Sequence, residues 1–255
     1  MKSFILLFLL FIGFVPFTLA QDDYFVVEAE KMNLRSRPSN KSNIIDKLSQ
    51  GDIVTFISDY NSEWKKIRFY NQEGYLSSKY LVSIDESKHY ENWTKLISLT
   101  GEGLECTNIS PQQDYNIDNY LDIYNSTQSN SVIKLMDKND QCIRMAYIGI
   151  GEKYSMKNIP EGIYKVRVAY GKRLSKSILE GGICYVSFLV EPEYMEYPDS
   201  YDFYIKTGPD KYTSDGVYKT KSIPSYNLTL FMKTYYGRIR PRDSRTNLSE
   251  AEFNK

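Results

Sequence analysis

A chain of 255 residues with 32 Lys and Arg against 32 Asp and Glu carries no net charge at neutral pH, which gives no electrostatic basis for holding nucleic acid or an anionic membrane surface. Its single histidine, His89, excludes zinc hydrolases built on two or more His ligands, and leaves any Cys–His or Ser–His chemistry only that one base. The length suits one small and one medium domain, and 23 tyrosines suit half-exposed β-sheets as well as surfaces that bind peptide or carbohydrate.

In chain order, residues 1–20 read first, as a secretory signal. Lys2 supplies the positive start, Phe4 to Phe17 are almost wholly apolar, and Thr18-Leu19-Ala20 offer small residues for cleavage. The apolar run is too short to argue a permanent membrane span. No Cys lies near the cleavage point, so no lipid anchor is expected. The mature chain is expected to be exported, periplasmic or secreted, with a net charge of about −1 once Lys2 is lost.

From Val26 to Val82 three spaced segments follow: NLRSRPSNKSNIIDKLSQGD, EWKKIRF and GYLSSKYL. Gly51-Asp52 suits a turn between strands, since Gly takes positive φ without steric cost. Pro38 fixes an extended corner. Residues 64–69 mix apolar and basic side chains as a short barrel strand does. Leu34, Arg35, Ser36, Pro38, Gly51, Asp52, Trp64, Lys66, Gly74 and Tyr80 fall on a pattern that resembles the bacterial SH3 (SH3b) family, with Ile67 and Tyr75 replacing its usual Val and Trp. The resemblance implies a small SH3-like barrel over residues 24–83.

Residues 84–102 are more polar and read as a linker, with Trp93, Leu96 and Ile97 hinting that its later part docks. Residues 103–236 read as a second all-β unit, an antiparallel β-sandwich. Its candidate strands include 120–125, 131–137, 142–150 and 164–170. Tyr164, Val166, Val168 and Tyr170 alternate cleanly with Lys165 and Arg167, the signal of a half-buried antiparallel strand, and Tyr226, Leu228, Leu230 and Met232 repeat it. In residues 151–171, Asn158, Pro160, Gly162 and Tyr164 resemble the hairpin of carboxypeptidase-regulatory and transthyretin-like domains, as found in exported proteins of Bacteroidetes type. Residues 237–255 read as a disordered polar tail, with a short helix allowed at residues 248–253.

Catalysis finds no footing. His89 sits in the linker ahead of all the cysteines, opposite to the order of the peptidases that accompany SH3b modules. No G-x-S-x-G elbow occurs. Asp137-Lys138-Asn139-Asp140 lacks the Gly and closing Glu of a calcium loop and reads as a turn. No catalytic residue, metal or cofactor is expected. Cys106, Cys142 and Cys184 are separated by 35 and 41 residues, which fits no zinc motif, and their odd number allows at most one internal disulfide.

Binding is what remains. The loop from Asp59 to Trp64 brings Tyr60 and Glu63 beside the tryptophan, and SH3 folds turn the region of Tyr80 toward the same groove. Arg35 and Arg37 are placed to meet a carboxylate. Asp59, Tyr60, Glu63, Trp64, Tyr80, Arg35 and Arg37 are therefore the expected groove, for a cell-wall (peptidoglycan) peptide or an envelope protein partner. Trp64, Tyr75 and Tyr80 fit the core of so small a barrel equally well. The alternative function is a carbohydrate-binding or carboxylate-based hydrolase unit in the sandwich, targeted by the SH3b module.

Overall fold

A computed structural model describes residues 24–107, 109–178, 181–231 and 246–254. The secretory signal expected at residues 1–20, Met232 and residues 237–245 of the tail lie outside them. The chain divides into two compact units, the first ending at Ile84 and the second beginning at Asp85. Both are all-β: an SH3-like barrel, then a β-sandwich.

The first unit holds β1 (Tyr24–Val27), β2 (Lys31–Arg35), β3 (Ile44–Ser49), β4 (Ile53–Asp59), β5 (Trp64–Phe69), β6 (Gln72–Ser77) and β7 (Leu81–Ser83), with a 3-10 turn at Ser78–Tyr80. They form one antiparallel sheet in the order β3-β2-β6-β5-β4-β1-β7. A flat sheet of that width would hold its edges about 29 Å apart. Yet Leu48 of β3 and Leu81 of β7 share one core with Val27, Leu34, Val54, Ile67 and Leu76, so the sheet is rolled around it. The Gly51-Asp52 turn is knitted to β1, Gly51 N–H donating to Val27 O (2.8 Å) and Val27 N–H to Asp52 O (2.9 Å). Gly51 takes φ +88°, the left-handed conformation that a side chain would strain.

Gly74 is required for a different reason. A Cβ there would lie 2.8 Å from the Arg35 carbonyl oxygen and 2.8 Å from Leu34 Cδ1, because β2 crosses β6 at contact distance. Gly74→Ala is expected to destabilise the barrel by about 2 kcal/mol through overpacking against backbone. Urea unfolding checks this, and an unchanged midpoint would mean that β2 gives way freely.

The second unit contains β8 (Trp93–Lys95), β9 (Tyr120–Asn125), β10 (Asn130–Met136), β11 (Cys142–Ile148), β12 (Lys153–Lys157), β13 (Ile163–Ile178), β14 (Cys184–Asp202), β15 (Lys206–Thr213), β16 (Gly216–Ser222), β17 (Tyr226–Leu230), β18 (Thr246–Asn247) and the short helix α1 (Glu250–Phe253). One sheet runs β11-β10-β13-β14-β18, with β8 pairing the far end of β13, and a smaller one runs β12-β9-β17. Within the smaller sheet β17 lies parallel to β9. The core between the two sheets holds Tyr164, Val166, Val168 and Tyr170 from β13 and Leu228 and Leu230 from β17, the faces that their alternation implies. Among the described residues two further strands, β15 and β16, pair only with each other.

Three sequence expectations change here. Residues 84–102 do not stay a plain linker: Trp93 to Lys95 pair with Ser175 to Ser177 of β13. The tail is not wholly disordered, since Thr246 and Asn247 pair with β14, Ser249 and Glu252 form a capping box and Phe253 is buried. Both segments are short, so neither shows a period in sequence. The stretch carrying Asn158, Pro160 and Gly162 is no hairpin, because β12 and β13 lie in different sheets. It crosses between them, fixed by the Asn119 side chain, which accepts from Ile159 N–H and donates to Ile159 O, both at 2.7 Å. The Tyr164 hydroxyl donates to Pro160 O (3.1 Å), closing the corner.

On the outer side of the larger sheet Arg167 lies beside Glu196 in register. The Glu196 carboxylate accepts from Lys165 Nζ and Arg167 Nε, each at 2.9 Å. Burial alone would raise this carboxyl, but the two cations hold it below its usual 4.5. A depressed folded-state value contributes stability that is present above 4.5 and lost as pH falls through the lower folded value. Glu196→Gln is expected to cost about 2 kcal/mol at neutral pH, because Arg167 is nearly buried and loses one of its two carboxylates. It should also flatten the fall in stability below pH 4.5. A variant with the same acid profile as the parent would rule out this pair as its source.

Candidate functional site

Strand register sorts the barrel side chains onto two sides. Ile67 opposes Gly74 and Lys65 opposes Leu76; Ile67 and Leu76 are core, so these four positions point inward. Trp64, opposite Ser77, and Lys66, opposite Tyr75, therefore point outward. Arg35 pairs with Tyr75 from the other strand and joins the same outer side. Trp64, Tyr75 and Arg35 thus come together across β5, β6 and β2.

The loop before β5 completes this surface. Asn61 builds the turn by accepting from Glu63 N–H and Trp64 N–H through its side-chain oxygen, each at 2.9 Å. Tyr60 and Asn61 donate their N–H groups to Trp64 O, at 3.0 and 3.2 Å. The Tyr60 ring stands edge-on to the Tyr75 ring, centroids 5.7 Å apart. Tyr60 is 60% exposed, whereas Trp64 is only 8% exposed and lies outside the central core cluster. Tyr60 and Tyr75 therefore supply the accessible aromatic area on this side. Tyr75 was absent from the expected groove, although its place in Gly74-Tyr75-Leu76, where an aromatic is usual, was the signal for it.

The remaining expected residues divide. Glu63 is exposed, and its carbonyl accepts from Ser78 N–H (2.8 Å), tying the loop to the 3-10 turn that carries Tyr80. Tyr80 is 42% exposed, with Lys79 Nζ 5.2 Å from its ring centroid. Arg35 is committed in part, donating to Ser42 O (2.8 Å) and so bracing the 36–42 loop. Arg37 is exposed, and its side chain has no partner among the described residues. Asp59 does not join the aromatic side. It opposes Lys65 across a register shift between Phe56 and Ser58, and binds Lys65 Nζ at 2.5 Å. Lys65 Nζ in turn sits 5.1 Å from the ring centroids of Phe25 and Phe56. The bulge reverses the alternation, which moves Asp59 to the inward side at the barrel's end.

Outward on the same strands, Lys66 and Arg68 clasp Glu73 at 2.9 and 3.0 Å and hold its carboxyl below the usual range. The site is an aromatic platform with a guanidinium on one flank and the exposed Glu63 carboxylate on the rim. Such a platform offers a ligand contact area and a few polar fixings.

A rolled seven-stranded sheet, a 3-10 turn ahead of the last strand and this platform define an SH3-type barrel, and residues 30–82 match the sequence model of the bacterial SH3 domain. One relative is the cell wall-binding protein YwsB of Bacillus subtilis (strain 168), 33% identical over 75 residues. The match covers 29% of this chain and 42% of that protein, so the chain spans less than half of the relative's length. No solved structure matches the chain.

Proposed function

We propose that this chain is an exported, non-catalytic binding protein whose bacterial SH3 domain recognises cell-wall peptide. The observation that carries the reading is the outward convergence of Tyr60, Tyr75 and Arg35 on one side of the barrel, with Glu63 at the rim. The aromatic rings give a flat surface for an extended peptide, and the guanidiniums of Arg35 and Arg37 suit its carboxylates. A relative named for cell-wall binding supports the same ligand, and the apolar stretch from Phe4 to Phe17 behind Lys2 supports export.

Co-sedimentation of the purified mature chain with peptidoglycan sacculi tests it. Saturable binding that soluble stem peptide competes away is the expected result. If sacculi leave the protein in solution while an envelope extract yields a protein partner, the groove serves that partner and the cell-wall reading is wrong.

A further inference from the structure

The second unit contains a cavity of about 640 Å³ on the outer side of its larger sheet. Val132, Met145, Ala169, Leu174 and Phe188 form its apolar floor. Leu104, Thr107, Ile109 and Gln112 also line it, with Phe253 of α1. Polar amides and hydroxyls occur in the wall, but among the described residues Lys134 is its only charged side chain and no carboxylate lines it.

Lys134 is in an unusual position for a lysine. It is 5% exposed, at the centre of a cross-strand row that runs Met145, Lys134, Arg167, Glu196. The carboxylates of Asp140 and Glu196 pair with Arg167. Among the described residues Lys134 has no ion pair. Its ammonium donates to Phe253 O (2.7 Å) and lies 4.4 Å from the Phe253 ring centroid. An ammonium has three donors, and one carbonyl accepts one of them. Burial, against an upward pull from Cys142 and with a smaller push from the Arg167 charge, holds the lysine below its ordinary value, so the amine is in a place where an anion would relieve it.

We propose that this cavity binds an amphipathic carboxylate, an apolar chain lying on Val132, Met145, Leu174 and Phe188 with its head group on Lys134 Nζ. The volume is that of a small-molecule site. A single buried cation in an otherwise uncharged wall selects the sign of the ligand, since a neutral chain gains the apolar contacts but leaves the ammonium without a counter-charge.

Isothermal titration of the mature chain with decanoate, decanol and decyltrimethylammonium, each kept below micelle formation, decides the matter without any variant. Decanoate should bind at least tenfold tighter than either of the others. Lys134→Met, which keeps the length and removes the charge, should abolish that preference while leaving decanol unchanged. Ala169→Leu, which narrows the floor without touching the charge, should weaken decanoate and decanol alike. Equal affinity for decanoate and decanol, no binding of any of the three, or a preference that survives a folded Lys134→Met would each overturn the proposal.

Discussion

Removing the Cys106–Cys184 disulfide is expected to lower the stability of the second unit by about 4 kcal/mol. The bond joins residues 78 apart in sequence, with Cα atoms 5.2 Å apart. A loop of that length has a large closure entropy when the chain is unfolded. In the folded unit the bond clamps the start of β14 to the segment that walls the cavity. Around Cys106 the chain is also held by the Lys176–Glu105 pair at 2.5 Å, by Leu104 and Ile109 packing on the sheet, and further on by Gln112 N–H donating to Ile143 O (2.9 Å). An exposed pair contributes little. The measurement is urea unfolding of the Cys106→Ser/Cys184→Ser chain, followed by Trp93 in a Trp64→Phe background so that one tryptophan reports on one unit. A loss below about 1 kcal/mol would mean that the packing alone secures the segment. Thiol titration of the denatured, unreduced protein should find one free group, Cys142. Burial raises its thiol to about 11 in the folded chain, so alkylation of native protein at pH 8 should be slow and should speed up on unfolding.

The sequence is legible where one residue answers one local demand. Gly51 answers a left-handed turn, and Tyr164, Val166, Val168 and Tyr170 a two-residue period. The structure departs where the pattern is broken by backbone irregularity. β13 and β14 run 16 and 19 residues, longer than their alternation suggests, because they bend through positions such as Arg173 (φ 50°) and Glu191 (φ 49°). Neither is a glycine, and the signals lie beside them: Gly171 sits at the register shift of β13 and Pro192 follows Glu191. The groove shows the same effect on a smaller scale. Continuous alternation along β4 puts Asp59 on the side of Trp64, and the irregularity after Phe56 turns it to the other. The disulfide pairing was equally out of reach, since three cysteines allow three pairings and only the fold brings Cys106 to Cys184.

That reversal changes which substitutions test the proposed groove. Tyr60→Ala with Tyr75→Ala is expected to weaken sacculus binding by about 2–3 kcal/mol, roughly 30- to 150-fold. Both side chains belong to the outward platform and neither to the barrel core, so their loss removes contact area without opening a cavity. Trp64→Ala is the less useful change. A tryptophan 8% exposed in so small a domain carries folding energy of about 3–5 kcal/mol, and its loss would mimic lost binding. Glu63→Ala removes one rim carboxylate and should cost under about 1 kcal/mol. Asp59→Ala should leave binding within error of the parent and only release Lys65, since that carboxylate faces away from the platform. A ranking with Asp59 above the tyrosines would place the working surface at the barrel's end, beside Lys65, Phe25 and Phe56. If the double tyrosine variant is stably folded and still binds sacculi as the parent does, the aromatic platform is not the recognition surface. Wall recognition would then have to lie elsewhere, and the second unit would be the first place to look.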